Sequence, residues 1–203
     1  MPKLEPEKLL QKGRFKIAYD KLDEPELRRK VVSEYAKLLE ENDSSDKMLW
    51  EHLWTSILPA VAFNRILTEN GWGKDKVFGM IHDSAAEVAK ASGKSFQAMG
   101  KLPFFFSLLR IACPAMVKKK YGPSGWDFTW KRNDKDAIEW DCGKCFYDVI
   151  LRKYGMPELV QIFCETDDFV YGSIPGVRWG RTKTIGRGDS VCDFCFYRED
   201  KSS

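Results

Sequence analysis

Histidine is scarce in this chain: its 203 residues include only His52 and His82. That scarcity weakens any reading built on a histidine base or an imidazole-rich metal site. An excess of charge of one sign is lacking too. The 33 basic and 30 acidic residues leave a net +3, so no face is flooded with the positive charge that nucleic acid requires. The basic clusters Lys118-Lys119-Lys120 and Arg28-Arg29-Lys30 fit solvated helix faces. No long apolar run is present. The most apolar stretch, LPFFFSLLRIACPAMV over 102–117, carries Arg110 and Pro114 and falls short of the about 20 residues of a membrane span. It reads as a buried core helix in preference to an interfacial membrane helix. The opening MPKLEPEKLLQKGR has no apolar run either, so it does not read as a secretory signal. The expected compartment is a reducing cytoplasm, where cysteines serve as thiols, ligands or catalysts.

The first part of the chain reads as helices. Residues 5–22 and 24–41 carry Leu, Val and Tyr at three- and four-residue steps, with "LDEPEL" as the stop between them. Residues 48–67 form an apolar, Trp-rich helix that Pro59 kinks or restarts. A further helix spans 75–91 and ends at "SGKS"; an apolar one spans 95–121, with breaks at Pro103 or Pro114. After "YGPSGW" the pattern alternates instead. Residues 127–132 and 137–142 flank the turn "NDKD" as a hairpin. Helices follow over 145–154 and 157–167, then a second hairpin of 177–185 and 191–198 across "GRGD". The expected fold is α+β: a helical N-terminal half (1–121) packed on a four-stranded antiparallel sheet of ββααββ order (122–200). Residues 201–203 are expected to fray.

What the chain does have is a skewed set of cysteines: five of the six (113, 142, 145, 164, 192, 195) fall after residue 140. Three readings stand. Cys142-x-x-Cys145 and Cys192-x-x-Cys195 suggest four-thiolate zinc. However, residues three apart on a strand point to opposite faces, so Cys192 and Cys195 reach one ion only if the strand bulges. Plain packing of buried thiols is the second reading, and fits Cys113 and Cys195 best. The third is a thiol active site. Cys145 opens a helix, where unpaired N–H groups favour a thiolate; Cys164 lies one helix on, with Asp167 near it; Cys192 lies in the last strand beside Asp193. With that strand central, the three sulfurs converge. Arg181 is read as a paired sheet residue or a clamp for a substrate carboxylate, and Thr182 and Thr184 as hydroxyl donors. His52 reads as a packing residue; the roles of His82, Cys142 and Cys195 stay open. Trp50, Trp54 and Trp72 are a partner surface or core.

The order Cys145, "YGMPEL" (154–159), "FCETD" (163–167) and "RTKTIGRGDSVCDF" (181–194) resembles the L-2-amino-thiazoline-4-carboxylic acid hydrolase family, densely so over the last third of the chain. The resemblance implies hydrolysis of a C–N or C–S bond in a small cyclic amidine, 2-aminothiazoline-4-carboxylate being opened to a carbamoyl-cysteine. The expected catalytic set is Cys145, Cys164, Cys192, Asp167 and Asp193, with Cys192 or Cys145 as nucleophile. The expected partner is a small molecule, without nucleic acid or membrane span. No cofactor is expected; the rival is zinc on Cys145, Cys164 and Cys192 activating a water. A non-catalytic sensor of a small ligand or metal is the alternative function.

Overall fold

The computed structural model describes residues 5–42 and 44–199; the tail expected to fray lies outside them. Helices α1 (Pro6–Lys12) and α2 (Lys16–Asp20) stand where the pattern predicts one helix, separated at Gly13, a residue that helices tolerate poorly. Helix α3 (Pro25–Glu41) opens on Pro25, whose missing N–H costs nothing at a first turn.

The Trp-rich segment becomes α4 (Lys47–His52), a π-helical turn (Leu53–Ile57) and α5 (Leu58–Glu69). Pro59 explains the π turn. In that register the carbonyl of Trp54 looks to the N–H of residue 59, and proline has none. The hydroxyl of Tyr35 donates to it instead, at 2.6 Å.

Helix α6 (Lys74–Gly100) runs straight through "SGKS", which the sequence marks as a stop. Gly93 sits there for packing, since a Cβ on it would lie 2.5 Å from the carbonyl oxygen of Phe169. Its bareness lets a later helix cross α6 closely. The apolar stretch becomes α7 (Phe105–Lys120), with Pro114 inside it. Only Phe105, Phe106, Leu109 and Cys113 are buried; Phe104, Leu108, Ile111 and Met116 are exposed, at 46–68%. The expectation of a buried core helix is therefore wrong. Helix α7 covers the sheet with one face, and nothing among the described residues covers its other face.

The second half follows the order ββααββ: β1 (Asp127–Asn133), β2 (Ala137–Lys144), α8 (Phe146–Lys153), α9 (Val160–Tyr171), β3 (Val177–Trp179) and β4 (Cys192–Arg198). The strands pair antiparallel in the order β1-β2-β4-β3, which makes β4 interior. "NDKD" turns as expected, Asp134 Oδ1 accepting the N–H groups of Asp136 and Ala137. The second hairpin differs: β3 stops at Trp179, and 180–191 is a loop with one 3-10 turn (Ile185–Arg187).

Alternation along β2 and β4 sorts the side chains. Ile138 pairs with Phe196, Trp140 with Phe194 and Cys142 with Cys192 on the inner face. One end of that face is aromatic and lies under α7; the other end carries sulfur and packs with α8 and α9. The core at the sulfur end also takes in Leu10, Phe15, Tyr35, Phe63 and Ile81, so both halves of the chain build it.

Candidate active site

The sulfur end of the sheet gathers four cysteines. Cys142 and Cys192 are cross-strand partners, Cys164 faces them from α9, and Cys145 caps the start of α8. Electrostatic interaction links Cys142 with Cys145, Cys164 and Cys192, and Cys145 with Cys164. Cys145, Cys164 and Cys192, expected together, are brought together. Cys142 joins them because strand pairing places it opposite Cys192, a register visible only once the sheet is assembled. Cys113 packs apart from them on the sheet-facing side of α7, its pKa pushed up to about 12 by burial. Cys195 is on the outer face of β4, as alternation requires.

The loop 180–191 is built against two of these sulfurs. The N–H of Ile185 points at Cys192 Sγ, 3.3 Å away. Gly186 lies so close to Cys164 that a Cβ on it would sit 2.9 Å from Sγ. One 3-10 turn thus touches both thiols, and only glycine fits at its second residue. Thr184 caps the turn by accepting the N–H of Arg187 at 3.2 Å and is itself fully buried. Asp189 Oδ2 accepts the N–H of Thr184. Asp193, on the outer face of β4, accepts the N–H groups of Thr182 and Lys183 and the Thr182 hydroxyl at 2.6 Å. Burial pushes its carboxyl up, but these donors outweigh that and hold it low. Asp193, Thr182 and Thr184 therefore brace the loop, on partners within the chain.

Arg181 is likewise engaged, from the loop and not from a strand. Its guanidinium bonds Asp167 Oδ2 at 3.0 Å, Asp168 Oδ1 at 2.8 Å and the carbonyl of Cys164 at 2.7 Å, with the side chain 2% exposed. Asp168 Oδ1 also accepts the indole N–H of Trp179. Of the two expected roles, Arg181 has that of an ion-paired residue. It ties the loop to α9 and leaves no open edge for a substrate carboxylate.

The thiols differ sharply in acidity. The hydrogen bond from Cys192 lowers the pKa of Cys164 most. Burial and Asp167 oppose this, while the Gly186 N–H and Arg181 assist it. Cys192, as the donor in that bond and buried, is pushed up. The two thiols therefore titrate as a pair, with Cys164 on the more acidic side of the bond. Cys145 goes against expectation. Burial raises it to about 11, outweighing the amides of Asp148 and Tyr147 at the start of α8. Burial likewise takes Cys142 to about 12.

Beside the sulfurs, several polar groups are deep in the molecule and yet keep open surface: Asp167, Tyr121, Tyr147 and Cys145. Aromatic rings pack beside these groups: Tyr147 lies 4.7 Å from Phe163, and His52 packs on Tyr121 and Trp126 at 5.4 and 4.8 Å. His52 is locked there by Tyr147 Oη and the Lys120 carbonyl, each at 2.9 Å, and is the packing residue the sequence suggests. Asp167 is the notable acid. Burial raises it to about 6 against the pull of Arg181; Asp168 raises it further, and Lys120 and Arg14 oppose. His82 reaches α9 as well, but at Glu165, 3.1 Å away. Sequence reasoning missed Arg14, Lys120, Tyr121 and Tyr147. Only Tyr147 carried a signal, its place two residues after Cys145.

Among the described residues, no three His, Cys, Asp or Glu side chains are arranged to hold a metal ion. A family model matches residues 49–196, from the Trp-rich helix to the last strand; its description is L-2-amino-thiazoline-4-carboxylic acid hydrolase. No curated protein and no solved structure matches the chain. The match spans most of the chain and includes every cysteine and the loop built against Cys164 and Cys192, and the chain belongs to the L-2-amino-thiazoline-4-carboxylic acid hydrolase family.

Proposed function

We propose that the protein is a hydrolase that opens a small cyclic amidine such as 2-aminothiazoline-4-carboxylate, with Cys164 as its nucleophile. The observation that carries this is the Cys164–Cys192 pair on the 185–187 turn, one helical turn from an aspartate whose pKa is raised to about 6. A thiol so placed ionises at lower cost than its neighbours. An aspartate titrating near neutrality can take up and return a proton.

The chemistry balances with one water. The ring carbon between sulfur and two nitrogens is electrophilic when its amidine is protonated, and ionised Asp167 pairs with that cation. Cys164 Sγ attacks this carbon, and the ring C–S or C–N bond breaks. The proton shared with Asp167 follows the departing ring atom. Water then adds to the same carbon and gives a proton to Asp167. Collapse to the carbamoyl product expels the Cys164 thiolate, and Cys192 holds it as before. Cys145 and Tyr147 stay protonated at neutral pH and serve as donors on the wall of the site.

A non-catalytic sensor is favoured by one observation: Arg181, Thr182 and Thr184 are all satisfied internally. Incubation of the purified protein with 2-aminothiazoline-4-carboxylate, followed by mass spectrometry, separates the readings. Turnover that survives a chelator and falls at least about a thousandfold in Cys164→Ser is the expected result. Full activity in that variant ends the thiolate mechanism; loss of activity on chelation transfers it to a metal-bound water.

A further inference from the structure

The cation that a carboxylated substrate needs comes from outside the family-matched region. We propose that Arg14 is the anchor for the substrate's carboxylate, so that the N-terminal segment completes the active site; this rests on the hydrolase reading above. Arg14 precedes residues 49–196, the span that carries the family likeness.

Three observations converge on it. The first is position. The Arg14 guanidinium is 6.0 Å from the centre of the Phe163 ring, on the aromatic wall next to Cys164. Its charge acts on Asp167, Tyr121, Tyr147, Lys120 and His52, the polar groups packed around the Phe163 side of the sulfur cluster.

The second is availability. Among the described residues Arg14 makes no ion pair, and neither does Lys120, the other cation facing Asp167. Arg181 takes both Asp167 and Asp168. A half-buried guanidinium without a carboxylate partner is set to receive an anion, and its planar fork matches a carboxylate on two edges.

The third is rigidity. The carbonyl of Arg14 accepts the hydroxyl of Ser84 at 3.0 Å, and that hydroxyl accepts the N–H of Ala18 at 3.2 Å. Ser84 is fully buried, and Phe15 next door is 1% exposed, its ring 6.2 Å from that of Phe63. The backbone from which Arg14 projects is therefore pinned on both sides, as an anchoring residue requires.

The substrate this geometry fits has an amidine at one end, for Asp167 and Cys164, and a carboxylate at the other, for Arg14. The test compares 2-aminothiazoline-4-carboxylate with 2-aminothiazoline, which lacks the carboxylate. Binding of both is measured by calorimetry in a Cys164→Ser background, with and without Arg14→Gln and Arg14→Lys, after circular dichroism has shown each variant folded. Arg14→Gln is expected to weaken the carboxylated ligand by about 10- to 100-fold, the range for a hydrogen bond to a charged group, and to leave the other unchanged. Arg14→Lys recovers part of the loss. In the Cys164-containing enzyme the same change raises KM much more than it lowers kcat. An equal loss for both ligands, no loss for either, or no binding of the carboxylated ligand to the parent overturns the anchor. If binding depends on Arg14 but no variant turns over, the anchor stands and the hydrolase reading falls.

Discussion

Acidity at single residues is set here by depth and neighbours, and side-chain type alone is a poor guide. Cys145 and Cys192 are the nucleophiles the sequence suggests, one opening a helix and the other next to an aspartate. Burial overrides the helix terminus at Cys145, and Cys192 is pushed up as the donor to Cys164, whose pKa that hydrogen bond lowers. Iodoacetamide at pH 8 is therefore expected to label Cys164 ahead of Cys145, and Cys192→Ala to slow that labelling; faster labelling of Cys145 would reverse the assignment. Asp167 gives a second outcome. Its folded pKa of about 6 lies above the ordinary carboxylate value of 3.8. The proton is thus held more tightly in the folded state, and the associated stability is complete below about pH 4 and lost as pH rises through 6. Melting temperatures of the parent and of Asp167→Asn are expected to diverge in the variant's favour as pH rises from 4 to 7. The acidic limb of kcat/KM near pH 6 is expected to vanish in that variant. Asp193, an equally plausible acid by sequence, falls on the solvent side of β4 by the alternation of the strand.

Elements were legible where periodicity was strong and misjudged where packing overruled a local signal. The helices over the first 120 residues, the hairpin around "NDKD" and the two helices after Cys145 follow from apolar spacing and turn residues. "SGKS" reads as a helix stop, and it is instead the crossing point of α6 with α9. Alanine at Gly93 would gain about 1 kcal/mol of helix propensity, yet it must displace the Phe169 carbonyl 2.5 Å away. Overpacking costs about 1–3 kcal/mol, so Gly93→Ala is expected to lower the thermal midpoint in spite of its better propensity. The π turn makes the complementary case. Tyr35→Phe removes a hydroxyl donor from the Trp54 carbonyl and is expected to cost about 1–3 kcal/mol in denaturant unfolding. A loss under about 0.5 kcal/mol would mean that water replaces the hydroxyl. The strand predicted over 177–185 ends at Trp179 because the threonines and Arg181 beyond it serve the loop and α9 instead of a ladder.

Across the whole molecule, the larger core joins α1–α6 to Cys142, Cys192, α8 and α9. Division at residue 121 would expose much of it. One cooperative transition, with tryptophan fluorescence and far-ultraviolet circular dichroism superimposing, is the expected unfolding behaviour; two resolved transitions would make the halves separate domains. The sequence by itself determined the α+β class, the order ββααββ and the family, because hydrophobic period, turn residues and motif spacing are local properties of the chain. It also separated Cys192 from Cys195, since strand alternation is local too. Tertiary structure alone decided that Cys164 is more acidic than the cysteines around it, that Arg181 is spent on Asp167 and Asp168, and that the charges of Arg14 and Lys120 act on Asp167 from the first half. Those outcomes depend on burial and on neighbours up to about 150 residues away along the chain, quantities that arise only when distant segments pack together.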